Sequence, residues 1–296
     1  MNSQWDFGTV IGLVVGLLCI FVAMVWPQDI SPAIIATTGD GFRWEQLQWF
    51  YQPQSVFIVV GGVLSATLVN YPIKEVLGLG RVFKNVVLSE KFDFTGTIDK
   101  IVVLAEKSRK DGLLSLEAGL SDIESVFLRN GIELAINERD TNRLRTFLSM
   151  DLNNISTRHV GGQEIILYMA AYAPAFGMLG TVLGLIIMMN KFQMSGETSS
   201  VEFNVAEQFA SLLSGMGTAL ITTFYGVFFA NMVFLPIAGK LKRRSESELM
   251  LKNIVLEGII SIHGREHPIL IKEKLMTFVA LSERKILEKK EGKFGT

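Results

Sequence analysis

Three threonines stand out inside apolar stretches that hold no charged side chain: Thr181 in one stretch, Thr222 and Thr223 in another. A hydroxyl surrounded by hydrocarbon needs a partner, and its lone pairs can face a passing cation or water. Counted from the boundary near Ala170, Thr181 lies 11 residues in, roughly 16 Å at helical rise. From the opposite boundary near Ala210, Thr222 lies 12 residues in, roughly 18 Å by the same rise. Two antiparallel helices would therefore bring these hydroxyls to mid-bilayer, either as one polar strip or with each bonded back to a carbonyl of its own helix. No Asp, Glu, His, Lys or Arg occurs in any of the apolar stretches. Ion-coupled machines keep an ionisable group at membrane depth. An ion-driven role for this chain requires that carboxylate to come from a partner.

Other chemistry is sparse. His159, His263 and His267 show no metal or triad spacing, no phosphate-binding loop is present, and an enzyme is not indicated. The one cysteine, Cys19, supports neither an intrachain disulfide nor a cysteine metal site. With a net charge of −1, the composition gives no reason to expect nucleic acid.

The elements that position the threonines are membrane spans. Four charge-free stretches run Gly8–Trp26, Ser55–Ile73, Ile165–Met189 and Phe209–Ile237. Each is near or above the ~20 residues that cross a ~30 Å hydrocarbon core as a helix. Of the 28 Lys and Arg, 26 fall in the segments between spans two and three and after span four. Only Arg43 and Lys191 lie in the other two connections. Excess cations mark the cytoplasmic side, so both termini are expected inside. The start lacks a positive n-region and a small-residue cleavage site, so span one is expected to be retained. The expected fold is an all-α integral membrane protein of the bacterial inner membrane. Residues 1–73 hold spans one and two with an external loop 28–54, and residues 165–237 hold spans three and four. Residues 74–164 and the tail 238–296 together form a cytoplasmic helical domain.

The external loop ends in Trp44, Trp49, Phe50 and Tyr51, an interfacial aromatic belt, with a short helix on the outer surface. Beyond span two, apolar spacing predicts a helix over Thr97–Lys110, interrupted at Gly112. A second amphipathic piece sets Leu113, Leu114, Leu116, Leu120, Ile123 and Phe127 against Glu117, Asp122, Glu124 and Arg129. Helix resumes over Asp140–Arg158, Gly161-Gly162 reads as a joint, and little strand character is present. Lys240, Lys242, Arg243 and Arg244 follow span four as a topology anchor that meets anionic lipid headgroups. A Gly264–Pro268 turn separates one tail helix from another over Ile269–Lys289. Spans three and four are rich in Gly and Ala, which let helix backbones approach closely in lipid. Pro174 and Pro236 lie toward their cytoplasmic ends, where each frees a carbonyl and permits a bend.

Four motifs in order resemble the MotA/PomA family of flagellar stator subunits, within the wider MotA/TolQ/ExbB superfamily. Residues 173–185, APAFGMLGTVLGL, resemble the family's third span. Thr222-Thr223-Phe224-Tyr225-Gly226, Ala230-Asn231 and Pro236-Ile237-Ala238 resemble its fourth. Residues 108–117, SRKDGLLSLE, resemble its cytoplasmic stretch, and residues 256–262 with 273–275 resemble its tail. The resemblance covers nearly the whole chain. It implies a homopentamer around a dimer of a MotB/PomB-like, peptidoglycan-anchored single-span subunit that carries the ion-binding aspartate. Proton or sodium flow would drive the rotor protein FliG, with no cofactor. Carried over by motif, Arg109, Lys110 and Glu117 are the rotor contacts, and Pro174 and Pro236 are the conformational prolines. Thr181, Thr222 and Thr223 flank the ion route. From spacing alone, Arg109 and Glu117 read as a solvated helix surface. The chain departs from the family pattern in a longer external loop, in Ser108 and Ser115 at usual alanine positions, and in Asp111 beside Arg109. The alternatives are an ExbB/TolQ-like subunit energising outer-membrane processes, with three spans and an external N-terminus, or a non-conducting membrane scaffold.

Overall fold

The computed structural model describes residues 4–5, 7–25, 47–89, 92–197 and 205–279. In chain order the elements are β1 (Gln4–Trp5), α1 (Phe7–Val25), α2 (Leu47–Phe50), α3 (Pro53–Asn70), α4 (Ile73–Val87), β2 (Leu88–Ser89) and α5 (Phe94–Asp111). A 3₁₀ segment (Leu113–Asp122), α6 (Val126–Asn137), α7 (Thr141–Glu197) and α8 (Val205–Phe228) follow. A π-helical segment (Phe229–Phe234), α9 (Leu235–His263) and α10 (Pro268–Met276) complete it. Among the described residues the regular structure is helical apart from a two-residue antiparallel ladder that pairs Gln4 with Ser89 and Trp5 with Leu88. It divides into an apolar unit, Ser3–Ser89 with Gly162–Leu241, and a polar unit, Glu90–Gly161 with Lys242–Thr296 and Met1–Asn2.

Among the described residues, helices Leu47–Asn70, Thr141–Asn190 and Leu212–His263 are long and apolar enough to cross a membrane. Where a first span is expected stands α1, 19 residues long, with a shorter apolar helix Ile11–Val25 inside it. Phe57 and Val69 are exposed, as suits side chains whose surroundings are lipid or partner helices rather than water. The small core gathers Val63, Ile166, Met169, Ala173 and Ala230. Gly62 of α3 leaves room for Phe176, since a Cβ there would fall 2.2 Å from the ring. The helix α4 is not anticipated by the sequence reading and groups with this unit; its apolar positions 73, 76, 77 and 79 recur at helical spacing.

Two expected interruptions resolve differently. Gly161-Gly162 does not break the helix, since α7 runs for 57 residues, yet the division between the two units falls between these two glycines. A helical glycine costs about 1 kcal/mol against alanine, which strong helix on either side outweighs. Pro236 comes shortly after a true irregularity, the π segment, where Leu235 N–H bonds to the Ala230 carbonyl five residues back. That wider turn accommodates a proline ring that would otherwise strike the preceding turn.

The polar unit has a conventional aliphatic core: Ile98, Ile101, Leu116, Ile132, Leu144 and Ile254 are all essentially sealed from solvent. Its helices begin at sequence-encoded caps. Asp93 Oδ1 accepts from Gly96 N–H at 2.9 Å, and Ser125 Oγ accepts from Leu128 N–H at 3.4 Å. Near Gly264, Arg265 adopts a left-handed conformation with φ 54°, and His267 with Pro268 then starts α10. The helix expected over Ile269–Lys289 stops at Met276, with Thr277–Val279 in a turn; residues 280–289 lie outside the described residues, as do Trp44 and most of the external loop.

Candidate functional site

In the apolar unit, α7 and α8 approach almost backbone to backbone. A Cβ on Gly226 would lie 2.6 Å from the Ala173 carbonyl oxygen and 3.2 Å from Pro174 Cα. A Cβ on Gly184 would meet Ala219 at 3.2 Å. The glycines at 177, 180 and 184 repeat at helical spacing on α7, facing Ala219, Thr222 and Gly226 on α8. Pro174 therefore stands where α7 packs against Gly226 of α8.

That contact brings Thr181 and Thr223 together, their hydroxyl oxygens 2.5 Å apart. The Gly177 carbonyl lies 3.1 Å from Thr181 Oγ1 and 3.4 Å from Thr223 Oγ1, and the Ala219 carbonyl lies 3.4 Å from Thr181 Oγ1. Each hydroxyl has one proton and two lone pairs. The pair and its carbonyls thus form a cluster of oxygens inside stretches of α7 and α8 that hold no charged side chain. The cluster can orient water or solvate a cation, and it cannot hold a proton as a carboxylate does.

Thr222 is placed differently. It is buried, donates to the Thr218 carbonyl at 2.8 Å, and presses its methyl toward Gly180, where a Cβ would sit 2.4 Å from Thr222 Cγ2. It bonds back to its own helix, while Thr223 bridges to the neighbour. The sequence reading also missed a second polar contact. Gln52 Nε2 donates to Thr218 Oγ1 at 2.7 Å, and Ser55 Oγ donates to Gln52 Oε1 at 3.2 Å. Nearby, Tyr225 donates its hydroxyl to the Phe50 carbonyl, and the Phe50 ring meets Phe224 edge-on. The signal was available: Gln52 stands at the head of a charge-free run, and buried amides pair. Trp49 and Tyr51 of the expected aromatic belt are exposed.

In the polar unit, α5 ends at Gly112, whose φ of 84° favours glycine. Ser115 Oγ donates to the Gly112 carbonyl at 2.7 Å. Leu116 is buried at 1% exposure, so the 3₁₀ segment is fixed at its start and middle. Arg109 and Lys110 in the last turn of α5, and Glu117 on the 3₁₀ segment, are all exposed. Among the described residues, none of these three has an ion pair within 4 Å. Ser108, at a position where the resembled motif carries alanine, is buried.

Elsewhere in this unit the charges pair structurally. Arg145 grips Glu257 through two contacts, at 2.6 and 3.1 Å, with Lys274 3.4 Å from the same carboxylate. The Arg145 hydrogen bonds hold the Glu257 carboxyl below the usual glutamate range, against an opposing push from burial. His263 donates from Nε2 to the Glu138 carbonyl at 2.9 Å and accepts from Thr141 at Nδ1, so it ties helix ends together. Among the described residues no group of three or more His, Cys, Asp or Glu is arranged to hold a metal.

Comparison with known proteins decides the lineage. The MotA/TolQ/ExbB proton channel family model matches residues 120–253. Motility protein A of Treponema pallidum is 34% identical over 239 residues, covering 81% of this chain and 86% of that protein. The chain belongs to the MotA/TolQ/ExbB proton channel family. Its relatives place it on the MotA/PomA branch: Motility protein A of Borreliella burgdorferi is 30% identical over 97% of this chain and 99% of its own length. The structure of the flagellar MotAB stator complex from Bacillus subtilis superposes with a TM-score of 0.72 at 25% identity, covering 93% of this chain and 98% of that one. The segment matched by the MotA/TolQ/ExbB model contains the Thr181–Thr223 contact, whereas Arg109, Lys110 and Glu117 precede it.

Proposed function

We propose that this chain is the torque-generating, ion-conducting stator subunit of a bacterial flagellar motor. The observation that carries this reading is the Thr181–Thr223 oxygen pair, set in two apolar stretches, Ile165–Met189 and Phe209–Ile237, that hold no Asp, Glu, His, Lys or Arg. A conduction path of this kind is incomplete by itself. It suits a chain that lends solvating oxygens while a MotB/PomB-like partner lends the titrating carboxylate. The relatives named Motility protein A, and the solved complex described as a MotAB stator, support the same division of labour.

Four membrane spans, with both termini in the cytoplasm, follow from the one-sided distribution of Lys and Arg. Five copies around two partner subunits form the assembly, and proton or sodium is the transported ion rather than a cofactor. The polar unit meets the rotor protein FliG through Arg109, Lys110 and Glu117. Unpaired exposed charges suit a contact that must form and release repeatedly, because rim charges govern encounter more than residence. Pro174, at the α7–α8 contact, and Pro236, after the π segment, are the points where a shift at the membrane is passed along each helix.

Ion flux measured in liposomes tests this reading. The chain reconstituted with its partner conducts; the chain alone does not. Conduction by the chain alone would overturn the shared pathway.

A further inference from the structure

The amphipathic pattern of residues 113–127 places Leu114 on the buried face with Leu113 and Leu116. The structure puts it outside. Leu114 is 70% exposed, the most exposed large apolar side chain of the polar unit among the described residues. The cause is the 3₁₀ geometry of Leu113–Asp122, where three residues complete a turn and positions i and i+3 share an edge. Leu113 and Leu116 take the core edge, and Leu114 shares the outer edge with Glu117. Gly112, the Ser115 hydroxyl and buried Leu116 hold this register, so the exposure of Leu114 is built in.

Its setting is distinctive. Arg109, Lys110 and Asp111 end the preceding helix and Glu117 stands one 3₁₀ turn on, all exposed. None of the four has an ion pair within 4 Å among the described residues. An apolar side chain ringed by unpaired charges of both signs is the plan of a protein interface with a desolvated anchor and a steering rim. We infer that Leu114 is the apolar anchor of the rotor contact, seated in a pocket on the rotor protein that is bordered by an acidic and a basic group. This rests on the reading of Arg109, Lys110 and Glu117 as rotor-facing and adds a division of roles to it. Charges set how often the stator engages, and Leu114 sets how long it stays.

The test uses intact motors carrying fluorescently tagged stator units, with dwell time at the motor read by photobleaching recovery. Leu114→Ala should shorten the dwell by roughly tenfold, as removal of a hot-spot anchor does. Leu114→Met should keep it, with membrane level and partner assembly unchanged in both. Arg109→Glu is the parallel control and should abolish engagement. An unchanged dwell in Leu114→Ala beside lost engagement in Arg109→Glu overturns the anchor and leaves the charged contact standing. No effect of either substitution overturns both. A photocrosslinking residue at position 114 should join the rotor protein. Joining a second copy of this chain instead would make Leu114 a subunit contact and end the proposal.

Discussion

Thr181 and Thr223 differ from Thr222 in what their hydroxyls face, and the difference predicts three separate phenotypes. Thr223→Ala removes one oxygen of the pair and should lower ion flux and swimming speed several-fold. Thr223→Ser keeps the hydroxyl and should retain most of both. Thr222→Ala removes a methyl seated over Gly180 and a bond to its own helix, so it should lower thermal stability more than conduction. Speed tracking paired with melting of the purified complex separates these outcomes. That hydroxyls on the third and fourth apolar stretches come to matching positions was legible from spacing. Which of two adjacent threonines crosses to the neighbour was not, because that depends on the rotation of α8 about its axis, set by the glycine contacts. In the polar unit, Glu257 gives a pH prediction. Its folded pKa is depressed chiefly by Arg145, so its contribution is fully present above the ordinary glutamate value and fades as pH falls through the folded value. Arg145→Ala should lower the melting temperature near neutral pH and flatten the loss of stability between about pH 5 and the acid limit. An acid melting profile as steep as that of the unsubstituted protein would contradict this.

Among the elements, the α7–α8 contact is where a single methyl matters most. Gly226→Ala would force a Cβ to 2.6 Å from the Ala173 carbonyl oxygen, and backbone cannot swing aside as a side chain can. Overpacking of this kind costs about 1–3 kcal/mol. Gly226→Ala should therefore lower the thermal stability of the complex in detergent, whereas Gly239→Ala, with open space around it, should not. Equal effects would place the tight contact elsewhere. The apolar spans, the Gly112 interruption and the tail turn at Gly264 could be read from the sequence because each rests on a local rule of polarity or backbone freedom. The continuity of α7 through Gly161-Gly162 was hidden, since a modest local penalty says nothing of the strength of the flanking helix. The 3₁₀ form of Leu113–Asp122 was hidden as well. Its leucines fit a 3.6-residue period almost as well as a 3.0-residue one, and only the core position of Leu116 decides.

For the whole molecule, the uneven spread of charge is the governing feature. Cations crowd residues 74–164 and 238–296, and no Asp, Glu, His, Lys or Arg lies in the four apolar stretches. On the proposed reading its tasks divide between an oxygen-lined helix contact in the apolar unit and a charged, leucine-centred patch in the polar one. The most direct measurement follows single tethered motors in a strain lacking this chain and every other member of its family. Induced expression of this chain with its partner should restart rotation in discrete speed increments, one for each unit that joins. Expression of the Arg109→Glu form at equal membrane level should restore none. Motors that turn normally before induction, or that stay still after it, would contradict the account.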